Sequence, residues 1–370
     1  MNLRYSFLLF LVFISFSCSL DLSSNEPIPV INIDDVRNED FPFDKYTVTP
    51  IFLEETDESF LASINHLILD NEKLYIVENS RDGNNELFIF DVNGNFINRL
   101  SAGEPGSEGY FKRVFDFVVE DGIIEILDVN QRKILSFNED GKLLSDKNIT
   151  IQAKTFAKIN DRYIFRISQR SEAEAVYATY KEDLTEERFY IYPPQSIRDI
   201  DAFRSQNEFA IVDGKAYFSY PLSRFVFEST GKTAPDTVLE LVGSRLAPED
   251  IQYKEMMEAG QQLMKSQAYA LRGNTLVFDK NLLVHLTAYP EESKYLSVPL
   301  SKVNSSENAG IWEIYDTAFD GIILEQILFT SPDQMVILAK PIYDQDPKIF
   351  DRYDIEPGYE NPILLLVSKK

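Results

Sequence analysis

The sequence predicts an all-β protein built from repeated four-stranded units. A pattern of short strands occurs twice in succession between Ile64 and Lys147. Aligning the turn glycines Gly94 and Gly141 gives a repeat of 47 residues (141 − 94 = 47). The chain also contains 27 Phe and 19 Tyr, residue types that favour strands. A period of this size in a chain of short strands is typical of a β-propeller blade or a similar four-stranded unit.

Each copy of the repeat is divided into strands by tight turns. Apolar and polar residues alternate within each segment, which is the pattern of half-buried antiparallel strands. The segments are separated by residue pairs that tolerate the positive φ of hairpin turns, namely Asp70–Asn71, Asn93–Gly94, Asp121–Gly122 and Asp140–Gly141. Two complete blades are therefore predicted before residue 148.

Weaker copies of the pattern follow. Residues 155–189 and 208–241 predict a third and a fourth blade, and strand-like segments between Thr275 and Pro341 predict a fifth and a sixth. The chain ends in an apolar strand, which would be an aggregation-prone edge if it were left unpaired. We therefore expect the ring to close by pairing of residues 48–53 with residues 363–368.

One segment departs from the strand pattern. Residues 248–266 begin with Pro248, followed by two acidic residues and by apolar residues at mixed helical spacing. Proline and acidic residues favour the first turn of a helix. The pattern predicts an inserted helix whose methionines pack it against the rim of the ring, with an adaptable binding edge as the alternative.

The N-terminus has the pattern of an export signal. Residues 1–17 combine a positive charge at Arg4 with a short apolar run, and Cys18, the only cysteine of the chain, follows Ser17. This arrangement looks like a bacterial lipoprotein signal, in which the cysteine is lipidated. Cleavage nearby that leaves a free thiol is the alternative. The polar residues 18–45 predict a flexible tether, and residues 46–370 a single propeller domain.

The residues of the first two blades carry a resemblance to a known family. The segment FDVNGNFINRL (90–100), followed by the glycine-rich stretch 103–111, looks like an NHL-type blade. The order of motifs over residues 46–147, together with the apolar C-terminal strand, resembles the six-bladed β-propeller lipoproteins of Bacteroidetes. The resemblance implies six four-stranded antiparallel blades in a protein of the periplasm or the outer-membrane surface, and implies little about a ligand.

Charge and motif content exclude several classes of function. The chain has 60 acidic and 36 basic residues and a net charge of −24, so its surface repels nucleic acid and anionic lipid headgroups. Its two histidines, His66 and His285, are far apart in sequence and predict structural roles rather than a metal site. Gly231–Thr233 lacks the earlier glycine of a phosphate-binding loop. We expect no metal, no cofactor and no complete catalytic set.

The sequence therefore predicts a lipid-anchored, monomeric propeller that binds a glycan, a small ligand or a protein without catalysis. Contact with the membrane is expected through the lipid anchor only. The candidate binding residues are Trp312, Glu313, Tyr315 and Asp316, which combine two aromatic side chains with two acidic groups. The alternative is a glycan-active hydrolase or lyase that uses Asp and Glu side chains converging at the propeller mouth.

Overall fold

The computed structural model describes residues 27–78, 86–101, 110–167, 174–185, 187–192, 207–248, 250–251, 254, 256–288, 292–302, 309–314, 318–319, 322–341 and 359–370. Three strands precede the first blade: β1 (Val30–Asn32), β2 (Arg37–Asp40) and β3 (Tyr46–Phe52). The remaining strands form six sheets, which are the six blades of a β-propeller.

Blades one to three are antiparallel four-stranded sheets whose strands follow chain order. Blade one comprises β4 (Ile64–Asp70), β5 (Lys73–Glu78), β6 (Leu87–Asp91) and β7 (Phe96–Leu100). Blade two comprises β8 (Asp116–Glu120), β9 (Ile123–Asp128), β10 (Lys133–Phe137) and β11 (Leu143–Asn148). Blade three comprises β12 (Ala153–Ile159), β13 (Arg162–Ile167), β14 (Tyr177–Lys181) and β15 (Arg188–Tyr190).

Blades four to six each contain five strands. Blade four comprises β1 with β16 (Phe209–Val212), β17 (Lys215–Phe218), β18 (Phe225–Ser229) and β19 (Asp236–Val242). Blade five comprises β2 with β20 (Tyr269–Phe278), β21 (Asn281–Ala288), β22 (Glu292–Pro299) and β23 (Gly310–Glu313). Blade six comprises β3 with β24 (Ala318–Phe319), β25 (Ile322–Thr330), β26 (Gln334–Pro341) and β27 (Ile363–Lys369).

The ring closes where the sequence predicts. Strand β3 pairs antiparallel with β27, with Val48 opposite Val367 and Phe52 opposite Ile363. The predicted hairpin turns are also confirmed, because Asn71, Asp121 and the turn glycines adopt positive φ. Strand β3 thus covers the edge that β27 would otherwise expose.

The N-terminal segment corrects the predicted tether. Within residues 18–45, strands β1 and β2 lie on the ring and pair in parallel with β19 and β23. The Asp34 carboxylate accepts hydrogen bonds from the backbone N–H groups of Ser244 (2.5 Å) and Arg245 (3.1 Å). Strand β2 is exposed along its whole length and is held through its backbone, so it has no apolar pattern to reveal it. Residues 30–52 are called the N-terminal strap below.

The core is divided among the blades. Each of the six spaces between neighbouring blades holds one cluster of buried apolar side chains. Each propeller sheet packs on a neighbouring sheet with both of its faces, so the central strands of a sheet are apolar on both sides. Strand β5 is an example, since Leu74 to Val77 are all buried. These six apolar interfaces hold the blades around the axis.

The inserted helix is shorter than predicted. Helix α1 (Met256–Ser266) begins eight residues after Pro248, and several residues between them lie outside the described part of the chain. Ala259 and Leu263 pack it against a small apolar cluster. Met257 and Met264 face solvent, so the predicted packing role of the methionines is wrong for these two. No helix among the described residues is long and apolar enough to span a membrane.

Candidate functional site in the central cavity

The first strand of most blades lines the axis of the ring. Strands β4, β8, β12, β16, β20 and β25 surround a cavity of about 320 Å³, with residues from all six blades in its wall. Cavities of this size are in the range that takes small organic ligands. The central cavity is therefore the candidate functional site.

A ring of polar groups crosses the cavity wall. The Asp116 carboxylate lies 3.0 Å from Nδ1 of His66 through Oδ1, and its Oδ2 accepts the backbone N–H of Phe156 at 2.8 Å. On the other side of the cavity, the carbonyl of Asn207 accepts the N–H of Thr275 at 2.9 Å. We call the wall residues His66, Asp116, Thr155, Asn207, Glu208 and Thr275 the polar belt.

His66 lines the cavity and is held on one side by a carboxylate. Its Nδ1 is held by Asp116, and its ring packs edge to face against Phe117, with centroids 4.9 Å apart. No hydrogen bond to Nε2 comes from the part of the chain that the structure describes. In the neutral ring with Nδ1 protonated toward the carboxylate, Nε2 is an acceptor for a ligand N–H or O–H.

Glu208 is a buried carboxyl on the same wall. The Tyr177 hydroxyl donates to its Oε1 at 2.7 Å, and Nε of Arg166 lies 3.4 Å from the same oxygen. Burial raises the pKa of Glu208, although the Arg166 charge and the Tyr177 hydrogen bond act in the opposite direction. Burial also raises the pKa of the Tyr177 hydroxyl well above its usual value, so that hydroxyl stays protonated and donates.

The rest of the cavity wall is largely apolar. Aromatic rings from blades two, three, four and six line it: Phe117, Phe156, Phe209 and Phe329. Thr155 and Thr275 are also among the wall residues. Phe117 and Phe156 are nearly fully buried, whereas Phe209 and Phe329 are only partly buried. Apolar surface beside hydroxyl, amide and imidazole groups suits an amphipathic ligand such as a sugar ring, whose C–H face packs on apolar surface while its hydroxyls form hydrogen bonds.

Of the site residues predicted from sequence, the two that the structure describes lie away from the cavity. Trp312 is 8% exposed and packs edge to face against Phe41, with centroids 5.2 Å apart. Glu313 forms an ion pair with Lys294 at 2.8 Å on the outer strands of blade five. Tyr315, Asp316 and Cys18 lie outside the described residues. The structure therefore does not bring the described members of this set to the central cavity.

The two histidines have different surroundings. His285 stacks on Tyr295 with centroids 4.9 Å apart, and burial lowers its pKa to about 3, so it is neutral at physiological pH. This agrees with the structural role predicted for it. His66, by contrast, reaches the central cavity. The signal that sequence reasoning missed was its position, since a polar residue in the first strand of a blade faces the axis.

No group of three or more His, Cys, Asp and Glu side chains is arranged to hold a metal ion in the described part of the chain. The belt carboxylates are instead occupied by protein donors. Asp116 binds a ring nitrogen and a backbone N–H, while Glu208 binds Tyr177 and Arg166. Hydrogen bonding, rather than metal coordination, is the chemistry that these groups offer.

Six sheets joined around a central cavity define the class of the protein, a six-bladed β-propeller. The chain belongs to the family DUF5128, described as 6-bladed beta-propeller, whose model matches residues 21–295.

Two solved structures are similar in fold. A Bacteroides fragilis protein described as exported has a TM-score of 0.66 at 14% identity, and the match covers 92% of this chain and 99% of that one. A member of the duf4221 family from Bacteroides vulgatus has a TM-score of 0.53 at 11% identity, covering 88% of this chain and 96% of that one. At these identities the likeness shows the fold alone. No curated protein matches the chain.

Proposed function

We propose that this propeller is an extracytoplasmic lipoprotein that binds a small ligand, such as a glycan fragment, in its central cavity without catalysis. The observation that carries the proposal is the cavity of about 320 Å³, whose wall combines aromatic rings with the polar belt. A rigid ring of six blades supplies a preformed site, which lowers the entropy cost of binding.

The sequence supports the cellular location. Residues 1–17 have the pattern of an export signal, and Cys18 follows a small residue at its end. Lipidation of Cys18 would hold the ring at a membrane surface. We also propose that the first two blades are of the NHL type. Replacing Cys18 by Ala should move the protein from the membrane fraction to the soluble fraction. Unchanged fractionation would exclude the anchor.

A glycan-active hydrolase or lyase is the second candidate, because two carboxyl groups, those of Asp116 and Glu208, lie on the wall of one cavity. Paired carboxyl groups perform glycoside hydrolysis when one donates a proton and the other attacks or activates water. Both oxygens of Asp116 already accept protein hydrogen-bond donors, and Glu208 binds Tyr177 and Arg166. These contacts favour binding over catalysis.

A glycan panel tests both candidates. The protein lacking residues 1–18 is titrated with mono- and oligosaccharides by calorimetry, and the mixtures are analysed by chromatography for products. We expect binding without product, and at least a tenfold loss of affinity in His66→Ala and Thr155→Val. Met257→Ala, on the exposed face of α1, is the control and should bind normally. Released products would favour the enzyme, and the absence of any binding would overturn the glycan proposal.

A further inference from the structure

A second recess lies between blades two and three, at the opposite end of the inner strands from the polar belt. It has a volume of about 210 Å³ and is called the interblade groove here. Val118, Glu120 and Lys158 line both the groove and the central cavity. The groove is therefore an extension of the cavity toward the side of the ring, with its own set of polar groups.

The floor of the groove contains a buried carboxylate with one free oxygen. Glu125 is 6% exposed, and its Oε1 accepts the hydroxyls of Tyr163 at 2.8 Å and Ser136 at 3.3 Å. Its Oε2 accepts no hydrogen bond from any residue that the structure describes. Glu125 lines the groove, so a donor placed there can reach this oxygen. A cationic donor forms the strongest hydrogen bond to such a carboxylate oxygen.

Positive charge lies beside this carboxylate. Nζ of Lys147 is 4.0 Å from Oε1 of Glu125, and Nζ of Lys158 lies 3.0 Å from carboxylate oxygens of both Glu120 and Glu182. Each lysine ammonium carries three hydrogens, so Lys158 retains one beyond its two ion pairs. The groove therefore offers a carboxylate and an ammonium group that lie close enough together to contact neighbouring groups of one ligand.

The flanks of the groove are apolar. Ile123 and Leu144 are among the large apolar side chains that remain exposed in this protein, and both line the groove. Exposed apolar side chains beside convergent polar groups are typical of a ligand site. They would cover an aliphatic side chain while the charged groups bind the polar end of the same molecule.

We propose that the interblade groove binds an apolar α-amino acid as its zwitterion. The ligand ammonium pairs with Oε2 of Glu125, its carboxylate pairs with Lys147 and Lys158, and its side chain packs between Ile123 and Leu144. The adjacent ammonium and carboxylate of an α-amino acid suit these neighbouring groups of opposite charge, since Nζ of Lys147 lies 4.0 Å from Oε1 of Glu125. Nζ of Lys147 also donates to the Tyr163 hydroxyl at 3.3 Å and to the Glu182 carbonyl at 3.2 Å, so the ligand carboxylate would replace or share one of these contacts. This ligand is different from the glycan proposed for the central cavity, although Val118, Glu120 and Lys158 line both sites.

Three ligands that share one aliphatic chain test the zwitterion requirement. The protein lacking residues 1–18 is titrated by calorimetry with L-leucine, with 3-methylbutylamine, which carries only the ammonium, and with 4-methylpentanoate, which carries only the carboxylate. We expect L-leucine to bind at least tenfold more tightly than either single-charge analogue. Equal affinity for an analogue, or no binding of L-leucine, overturns the proposal.

Matched variants locate the site. Glu125→Gln keeps an acceptor for Tyr163 and Ser136 but removes the charge, so it should weaken L-leucine binding at least tenfold. Glu228→Gln is the control, because Glu228 forms an ion pair with Lys215 (2.7 Å) in blade four, outside the groove.

A second variant tests the apolar flank of the groove. Leu144→Ser changes an exposed side chain, and it should weaken the binding of L-leucine but not the binding of glycine. L-Leucine binding that is unchanged in both groove variants would overturn the proposal, whereas His66→Ala should leave it unaffected.

Discussion

Oδ1 of Asp116 lies 3.0 Å from Nδ1 of His66, and Oδ2 of the same carboxylate accepts the backbone N–H of Phe156. One side chain therefore joins the inner strands of blades one, two and three. Asn207 does the same for the second half of the ring, since its carbonyl accepts the N–H of Thr275 and its amide donates to the carbonyl of Leu328. The polar belt both lines the cavity and joins the blades.

Asp116→Ala should lower the free energy of unfolding by about 2–4 kcal/mol, because it leaves the His66 ring nitrogen and the Phe156 N–H without their acceptor in a buried site. Urea denaturation followed by circular dichroism measures the change. Asp57→Ala, at an exposed loop position, is the control and should stay within about 0.5 kcal/mol of the wild type. A similar cost for both variants would contradict the structural role of the belt.

Two equivalent hairpin glycines should respond differently to Ala. A Cβ on Gly94 would lie 2.0 Å from the carbonyl oxygen of Phe52, whereas one on Gly141 would meet nothing closer than Leu100 at 3.9 Å. Both residues have positive φ. Gly141→Ala should therefore cost about 1–2 kcal/mol for the backbone conformation alone, and Gly94→Ala at least about 2 kcal/mol more, because β3 must move. Thermal unfolding compares the two variants, and equal melting temperatures would contradict the close approach of the strap.

Glu139 links blade two to blade one. Burial raises its pKa, but hydrogen bonds from Lys73 (2.6 Å) and Tyr75 (2.5 Å) outweigh burial and hold the pKa below its usual value. The ionised carboxylate therefore stabilises the fold above about pH 4.5, and this contribution is lost as the pH falls through the lowered pKa. Glu139→Gln should lose about 1 kcal/mol at pH 7 and nothing at a pH below that pKa.

Denaturant titrations of wild type and Glu139→Gln across this pH range measure the difference. Glu58→Gln, an exposed carboxylate, is the control and should show no such pH-dependent difference from the wild type. A stability difference for Glu139→Gln that persists unchanged in acid would show that the ionised carboxylate is not its cause.

Trp312 should report on the strap rather than on the ligand. It is the only tryptophan of the chain, and it is buried against Phe41 of the strap. Phe41→Ala should therefore shift the fluorescence emission to longer wavelength and lower the free energy of unfolding by about 3–5 kcal/mol. Phe60→Ala, at an exposed ring, should do neither. An unshifted emission spectrum in Phe41→Ala would place the indole in a different environment.

Sequence reasoning was accurate where local chemistry decides the structure. The hairpin turns follow from residues that tolerate positive φ, and the closing pair β3–β27 follows from the need to cover an apolar terminal strand. The turn signal lies in a few neighbouring residues, whereas the closing pair follows from combining the apolar terminal strand with the predicted ring.

It failed where the structure depends on distant backbone contacts. The residues of β2, Arg37–Asp40, have no apolar pattern, since they are exposed and held by backbone pairing to blade five. The cavity posed a similar problem, because His66, Asp116 and Glu208 come from different blades and no sequence spacing relates them. The aromatic character of Trp312 suggested a ligand platform, but in a ring with six apolar interfaces a large aromatic side chain also serves to fill the space between two blades.

The N-terminal strap sets the order in which this chain can fold. Val30 pairs with Glu240, a partner 210 residues away (240 − 30 = 210), and Phe52 pairs with Ile363. Blades one to three consist of neighbouring segments and can form early, whereas β1 of the strap has no partner until β19 (Asp236–Val242) is available, and β3 has none until β27 (Ile363–Lys369) is available. Such distant pairing slows folding and leaves strand edges exposed meanwhile. The half-formed ring is therefore the state most vulnerable to proteases and aggregation, and strap variants should lower the yield of folded protein more than its final stability suggests.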